Sequence, residues 1–268
     1  MSESVGGTQV PIVKTCVYPG AKLKCRGPAR ELSGDFIAVL GGCETFSPHL
    51  SNDISSVIEG AAGLPCVNLS AAHAGPGAYL ADPGLVMQIA RARAVVLSIP
   101  GAHLAPNPCF RVHPIRNDRV VAQCSGLQAL YPEVDFLSHP FVRHLLGELL
   151  SVSAGRFAVV REALRKGWAS AMSDLIAAVD APVYGLWLGQ RRPENRTDTL
   201  VSGDPPFVTR AMLDALNLAG LIEVVRKPAR RDGSGLPHSE MIEEAGQMLG
   251  RVFSRDLNGP RTVRKRTA

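Results

Sequence analysis

Phe36-Ile37-Ala38-Val39-Leu40-Gly41-Gly42-Cys43-Glu44-Thr45-Phe46 is the stretch on which the fold reading turns. An apolar run stops at two glycines. It gives way at once to a small nucleophilic side chain, then a carboxylate and a hydroxyl. A buried parallel strand ends in this manner when it turns tightly at the edge of a sheet. Open α/β sheets bind their ligands at the carboxyl ends of such strands. Any chemistry is therefore expected at the turn 41–45.

Outward from that turn, similar runs recur at 66–69, 94–99, 183–188 and 221–225. Each is short, apolar and rich in β-branched residues, as buried parallel strands are, with no need to alternate. A further short strand is expected around 12–17. Helical patterns fall between the runs. One covers 52–62 behind Ser51 as a cap, and one covers 84–92 behind Asp82-Pro83. Others cover 142–152, 156–179, 206–218 and 239–253. The order predicts an α/β fold: three-layer, doubly wound, with a mostly parallel five-stranded, flavodoxin-like sheet and a helical and loop insertion.

Three segments stand apart from that rhythm. Residues 1–34 read as an irregular basic lead-in carrying Lys14, Lys22, Lys24, Arg26 and Arg30. Residues 35–254 read as a single α/β domain, within which 100–180 form an insertion or cap. Its first part, 100–141, has prolines at 100, 106, 108, 114, 132 and 140 and no long periodicity. A connection of that length without regular structure is usually functional or mobile. It leaves the third strand on the same edge as the turn 41–45, so the two loops are expected to face one cleft. Residues 255–268 read as a basic disordered tail, with Arg255, Arg261, Arg264, Lys265 and Arg266 against Asp256 alone.

The net charge of +5 is concentrated in that tail, and no basic–aromatic interleaving accompanies it. Nucleic acid is therefore an unlikely partner, and a small-molecule substrate or ligand is the expected one. No apolar run approaches the roughly 20 residues that cross a bilayer. The first ten residues lack the basic-then-apolar order of a secretory signal, so cytoplasmic residence is expected. Cys16, Cys25, Cys43, Cys66, Cys109 and Cys124 form no C-x-x-C pair and are irregularly spaced. That argues against a zinc site or a disulfide framework, and most read as reduced thiols packed as small hydrophobes. Neither glycine-rich nucleotide motif occurs, so no cofactor and no metal is expected.

Among chemistry-bearing residues, Cys43 comes first. A thiol between a strand and a helical start gains from backbone N–H groups and the helix dipole. The plainer reading is a small side chain filling a turn. Glu44 beside it opposes ionisation by like-charge repulsion. After the second strand, Asn68, Ser70, His73 and the backbone near Gly75 and Gly77 form a loop of small residues able to point donors into the cleft. After the third, His103 is a candidate acid or base and Asn107 a candidate oxyanion donor. His113, Arg116, Asn117, Asp118 and Arg119 lie within one short stretch, where the cations suit an anion grip or a solvated loop. Asp135, His139, Arg143 and His144 form another polar group at a helix start. Asp232 and His238 precede the last helical pattern.

In this order the pieces resemble the SGNH/GDSL hydrolases. Gly41-Gly42-Cys43-Glu44-Thr45 resembles that superfamily's first block, with Gly42 in the Asp position and Cys43 in the Ser position. Val67-Asn68-Leu69-Ser70 resembles the second, with Ser70 where glycine is usual. The stretch from Gly101 to Asn107 resembles the third with its asparagine displaced. Asp232 and His238 stand where D-x-x-H is usual but five residues apart. More closely, the chain resembles a family of uncharacterised alphaproteobacterial proteins. The resemblance rests on Arg26-Gly27-Pro28, Gly41-Gly42 with Glu44-Thr45, Ala81-Asp82-Pro83, Val112-His113-Pro114 with Arg116-Asn117-Asp118-Arg119, Tyr131-Pro132-Glu133-Val134-Asp135-Phe136 and Arg143-His144-Leu145-Leu146.

The superfamily resemblance implies a degenerate SGNH-like acyl-ester hydrolase or acyltransferase for a small or saccharide-linked substrate. Cys43 would be the nucleophile, His238 or His113 the base, and Asp232 the group orienting the base. The Cys43 N–H in the turn with Gly42, Ser70 and Asn107 would form the oxyanion site. The alternative is a non-catalytic protein of the same fold, binding a small anion or sugar through His113, Arg116 and Arg119.

Overall fold

The computed structural model describes residues 13–195, 200, 204–226 and 236–257. A two-stranded antiparallel ribbon, β1 (Thr15–Cys16) and β2 (Cys25–Arg26), leads into β3 (Ile37–Leu40). Then follow α1 (Cys43–Phe46), α2 (Ile54–Ala62), β4 (Cys66–Asn68), α3 (Pro76–Leu80), α4 (Pro83–Ile89) and β5 (Ala94–Ser98). An antiparallel hairpin, β6 (Phe110–Val112) and β7 (Val120–Gln123), precedes α5 (Ser125–Leu130), α6 (Val142–Val152) and α7 (Ala154–Ala177). The chain closes with β8 (Val183–Gly189), α8 (Arg210–Asp214), β9 (Gly220–Val225) and α9 (Ser239–Asp256).

The five long-range strands form one sheet in the order β4-β3-β5-β8-β9, and every neighbouring pair is parallel. Side chains alternate between its two faces, as the pleat requires. Ile37, Val39, Ala94, Val96, Leu186 and Val224 face one layer, against Ile54 and Ile58 of α2 and Ile242 and Leu249 of α9. Ala38, Leu40, Val95, Leu97 and Trp187 face the other, against Tyr79, Leu85, Trp168 and Met172. Helices on both faces explain why the strands read as unbroken apolar runs. The predicted α/β class, five-stranded parallel sheet and two helical layers are all present.

Local chemistry sets the helix ends. Asp53, not Ser51, caps α2: its carboxylate accepts from the Ser56 N–H at 3.1 Å. Asp82 caps α4 from the position before Pro83. Helix α9 packs on α2 at unusually short range. A Cβ at Gly250 would lie 2.3 Å from that of Ala61, so only glycine fits.

Five expectations are corrected. The described part of the lead-in, from residue 13, is integrated: Tyr18, Leu23 and Cys25 are buried in the main core. Arg26 is buried too, 2.8 Å from Asp53, and its guanidinium donates to the carbonyls of Phe46, Ser47 and Leu50. The stretch 100–141 is not structureless, because it holds the β6–β7 hairpin and α5. The helices of 142–179 are not a cap. Phe157, Val160, Leu164, Trp168 and Met172 of α7 are fully buried and form a layer of the sandwich between β5 and β8. The helix expected over 206–218 is reduced to α8, since Phe207 takes a left-handed φ of 64° that excludes it from a helix. The strand expected from 12 begins at Thr15. The tail beyond Leu257 lies outside the described residues.

Candidate functional site

The turn after β3 is held rigidly. The Tyr79 hydroxyl, buried under it, accepts from the Gly41 N–H at 3.0 Å and donates to the Gly41 carbonyl at 2.8 Å. A Cβ at Gly41 would fall 2.2 Å from Oγ1 of Thr45, so the close turn requires glycine. The next residues begin α1. Glu44 folds back, and its Oε1 accepts from the Gly42 N–H (2.9 Å) and from the Ser98 hydroxyl at the end of β5 (3.1 Å). That contact ties the loops after β3 and β5 together where the strand order reverses.

Cys43 opens α1 and is half-buried. Its neighbour across the edge is His73, in the loop after β4. Nδ1 of His73 lies 3.6 Å from Sγ, and the His73 backbone N–H donates to the same sulfur at 3.3 Å. His73 is in the left-handed region, φ 61°, which lets both its ring and its amide reach the thiol. Oδ2 of Asp118 is 3.4 Å from the same Nδ1. Arg116 holds that carboxylate through Nε (3.3 Å) and Nη2 (3.0 Å). Between them stands Asn117, almost wholly buried. Its Oδ1 accepts from the Gly75 and Ala78 amides and its Nδ2 donates to the His113 carbonyl. Asn117 thereby fastens the loop after β4 to the segment carrying Asp118.

The electrostatics favour neutral partners at rest. Burial, with the Glu44 charge second, pushes the Cys43 thiol up to about 11. Burial pulls the His73 imidazole below its ordinary value, against the pull of Asp118. The His73 side chain is still 42% exposed, so the pair is open to solvent on one side. Nδ1 faces both thiol and carboxylate. It accepts the thiol proton only as the tautomer with its hydrogen on Nε2.

The other predicted residues are placed differently. Ser70 is fully buried; its hydroxyl bonds Thr45 Oγ1 at 2.8 Å and its amide donates to Asn68 Oδ1. Its full burial keeps that hydroxyl away from a substrate oxyanion. Asn107 closes its own loop, accepting from the Cys109 and Phe110 amides and donating to the Ala105 carbonyl. The Gly42 amide is taken by Glu44. Nδ1 of His113 accepts from the amides of Ile115 and Arg116, Arg116 is committed to Asp118, and Arg119 stacks on Phe141 at 4.8 Å. Each of these three is engaged by a neighbour. His238 is the residue before α9 and makes no hydrogen bond to Cys43 among the described residues. Asp232 lies outside the described residues.

The sequence reading therefore named Cys43 and missed its partners. His73 and Asp118 both stood in polar loops already singled out, and nothing in their spacing set them above His113 or His238. Among the described residues, no cluster of His, Cys, Asp and Glu is arranged to hold a metal, and no helix is long and apolar enough to cross a membrane.

A family model described as "Domain of unknown function (DUF6473)" matches residues 1–258, so the chain belongs to that family. No curated protein and no solved structure matches it.

Proposed function

We propose that the chain, as a member of that family, is a cysteine-centred, SGNH-like acyl-ester hydrolase or acyltransferase for a small or saccharide-linked ester. The observation that carries the reading is the convergence of Cys43, His73 and Asp118 at the carboxyl edge of the parallel sheet. Nucleophile, base and the carboxylate that stabilises the protonated base then come from the turn after β3, the loop after β4 and the turn between β6 and β7.

Nδ1 of His73 takes the thiol proton as Sγ attacks the ester carbonyl carbon. The imidazolium formed lies against Asp118, whose negative charge stabilises it. Collapse of the tetrahedral adduct breaks the ester C–O bond, and His73 returns the proton to the departing alkoxide. Water, or an acceptor hydroxyl, then attacks the thioester with His73 as base, giving back the thiol. The N–H of Cys43, at the first position of α1, has no carbonyl one turn earlier to bond and is the nearest backbone donor for the oxyanion.

The test is hydrolysis of short p-nitrophenyl esters by the wild-type protein and Cys43→Ala, with intact-mass detection of an acyl group on Cys43. Turnover and an adduct in the wild type, both absent from Cys43→Ala, are expected. Equal rates in the two proteins would dispose of the mechanism.

A further inference from the structure

We infer that the cavity walled by Ile99, Leu104, Leu188 and Pro206 is a binding site for a small carboxylate, with the Arg143 guanidinium as counter-ion and the His103 imidazole as hydrogen-bond partner. The inference stands apart from the role of Cys43.

The cavity measures about 160 Å³ and opens at the carboxyl ends of β3, β5 and β8. Strand order reverses between β3 and β5, since β4 lies to one side of β3 and β5 to the other. Doubly wound sheets bind ligands in the crevice at that point. Most of the wall is apolar. Its own carboxylates are satisfied, Glu44 by the Gly42 amide and the Ser98 hydroxyl, and Asp204 by the amides of Gln190 and Arg191.

Two polar groups in the wall lack a full set of partners among the described residues. Arg143, near the start of α6, is half-buried and donates to the Leu200 carbonyl at 2.5 Å. No carboxylate pairs with it among the described residues, although a guanidinium carries five donors. Burial pulls its pKa down. His103, only 5% exposed, has a buried ring Nδ1 with no hydrogen-bond partner among the described residues. A Cβ at Gly101 would lie 2.5 Å from its Nδ1, so the ring packs close against that turn. Burial pulls this imidazole down to about 3, so it meets a ligand as a neutral ring. Native proteins rarely leave buried polar groups unmatched. Two of them in one small apolar cavity have the composition of a ligand site. One guanidinium, with Glu44 and Asp204 also in the wall, suits a single negative charge better than the two of a phosphate.

Calorimetric titration of the full chain with butyrate, butyramide and inorganic phosphate tests the assignment. Butyrate is expected to bind, and butyramide to bind at least about tenfold more weakly, because a charge-assisted hydrogen bond is lost. Arg143→Gln should weaken butyrate by a similar factor and Arg143→Lys by less. His103→Phe reports on the second contact if Arg143→Gln fails to fold by circular dichroism, and it too should weaken butyrate. Cys43→Ala should bind butyrate as the wild type does. Butyramide equal to butyrate, phosphate tighter than butyrate, no butyrate binding, or affinity unmoved in these variants would each overturn the inference. Ester hydrolysis surviving while butyrate fails to bind would sink this site alone and leave the thiol mechanism intact.

Discussion

His73 meets the sulfur of Cys43 with two different atoms, its ring Nδ1 at 3.6 Å and its backbone nitrogen at 3.3 Å. The left-handed backbone of His73 is what allows it. The amide donates to the sulfur whatever the ionisation of the ring, and so gives a developing thiolate a fixed partner. The ring can accept a proton at Nδ1 when its own hydrogen is on Nε2.

Replacing each partner should separate their roles. His73→Ala is expected to lower kcat/KM for a p-nitrophenyl ester by roughly 10²–10⁴-fold, the usual worth of a general base. Asp118→Ala should cost less, about tenfold to a hundredfold, because the carboxylate only stabilises the imidazolium. His238→Ala should leave the rate near the wild-type value. A large loss in His238→Ala with none in His73→Ala would reassign the base.

The thiol's own titration gives a test that needs no substrate. Because burial and Glu44 raise the Cys43 thiol to about 11, its thiolate at pH 7 is scarcer than in an ordinary cysteine, roughly a hundredfold for a shift from 9.0. Site-resolved mass spectrometry should find slow iodoacetamide labelling of Cys43 at neutral pH, rising steeply above pH 9. The ester rate should rise with pH through a value below the usual histidine range, since burial lowers His73 and the neutral ring is the active form. Rapid labelling at pH 6 would reveal a standing thiolate–imidazolium pair instead.

Arg26 and Asp53 form a buried pair at 2.8 Å that joins β2 to the cap of α2. Removing one partner strands a charge in the interior. Arg26→Ala should therefore destabilise the fold by about 3–5 kcal/mol, read from urea denaturation. A change under 1 kcal/mol would show that water replaces the guanidinium freely.

His103 should make the protein sensitive to acid. Its folded pKa, about 3, lies below the unfolded value near 6.5. Between those limits the unfolded chain binds the extra proton, so stability falls as pH drops from 6.5 toward 3. His103→Phe is expected to flatten that part of the stability profile by a few kcal/mol relative to the wild type. Parallel profiles for the two proteins would place the acid sensitivity elsewhere.

The contact of α9 with α2 should not tolerate added volume. Gly250→Ala inserts a methyl group 2.3 Å from that of Ala61. A cost of about 1–3 kcal/mol, seen as a lowered urea midpoint, is expected from overpacking. No loss would mean that α9 shifts outward at little cost.

The strands and most helices were legible because their signals are local. Apolar runs such as 36–40 and 94–99 are buried on both faces, and Asp82-Pro83 carries its own start signal. The 206–218 stretch misled because one left-handed residue, Phe207, overrides a helical composition. The lead-in was set apart from the domain because nothing in a basic, irregular stretch shows that Arg26 has a buried acid.

The sequence by itself determined the class of fold and the turn that presents Cys43 at the carboxyl edge of the sheet, since hydrophobic pattern and glycine placement act over a few residues. Tertiary structure alone decided which histidine and which carboxylate stand beside that thiol. Strand order sets β4 next to β3 and so brings the loop of His73 to Cys43, and the buried Asn117 clamps Asp118 into place behind it. Proximity of that kind depends on which strands pair and which loops are pinned together, and chain separation carries no record of it.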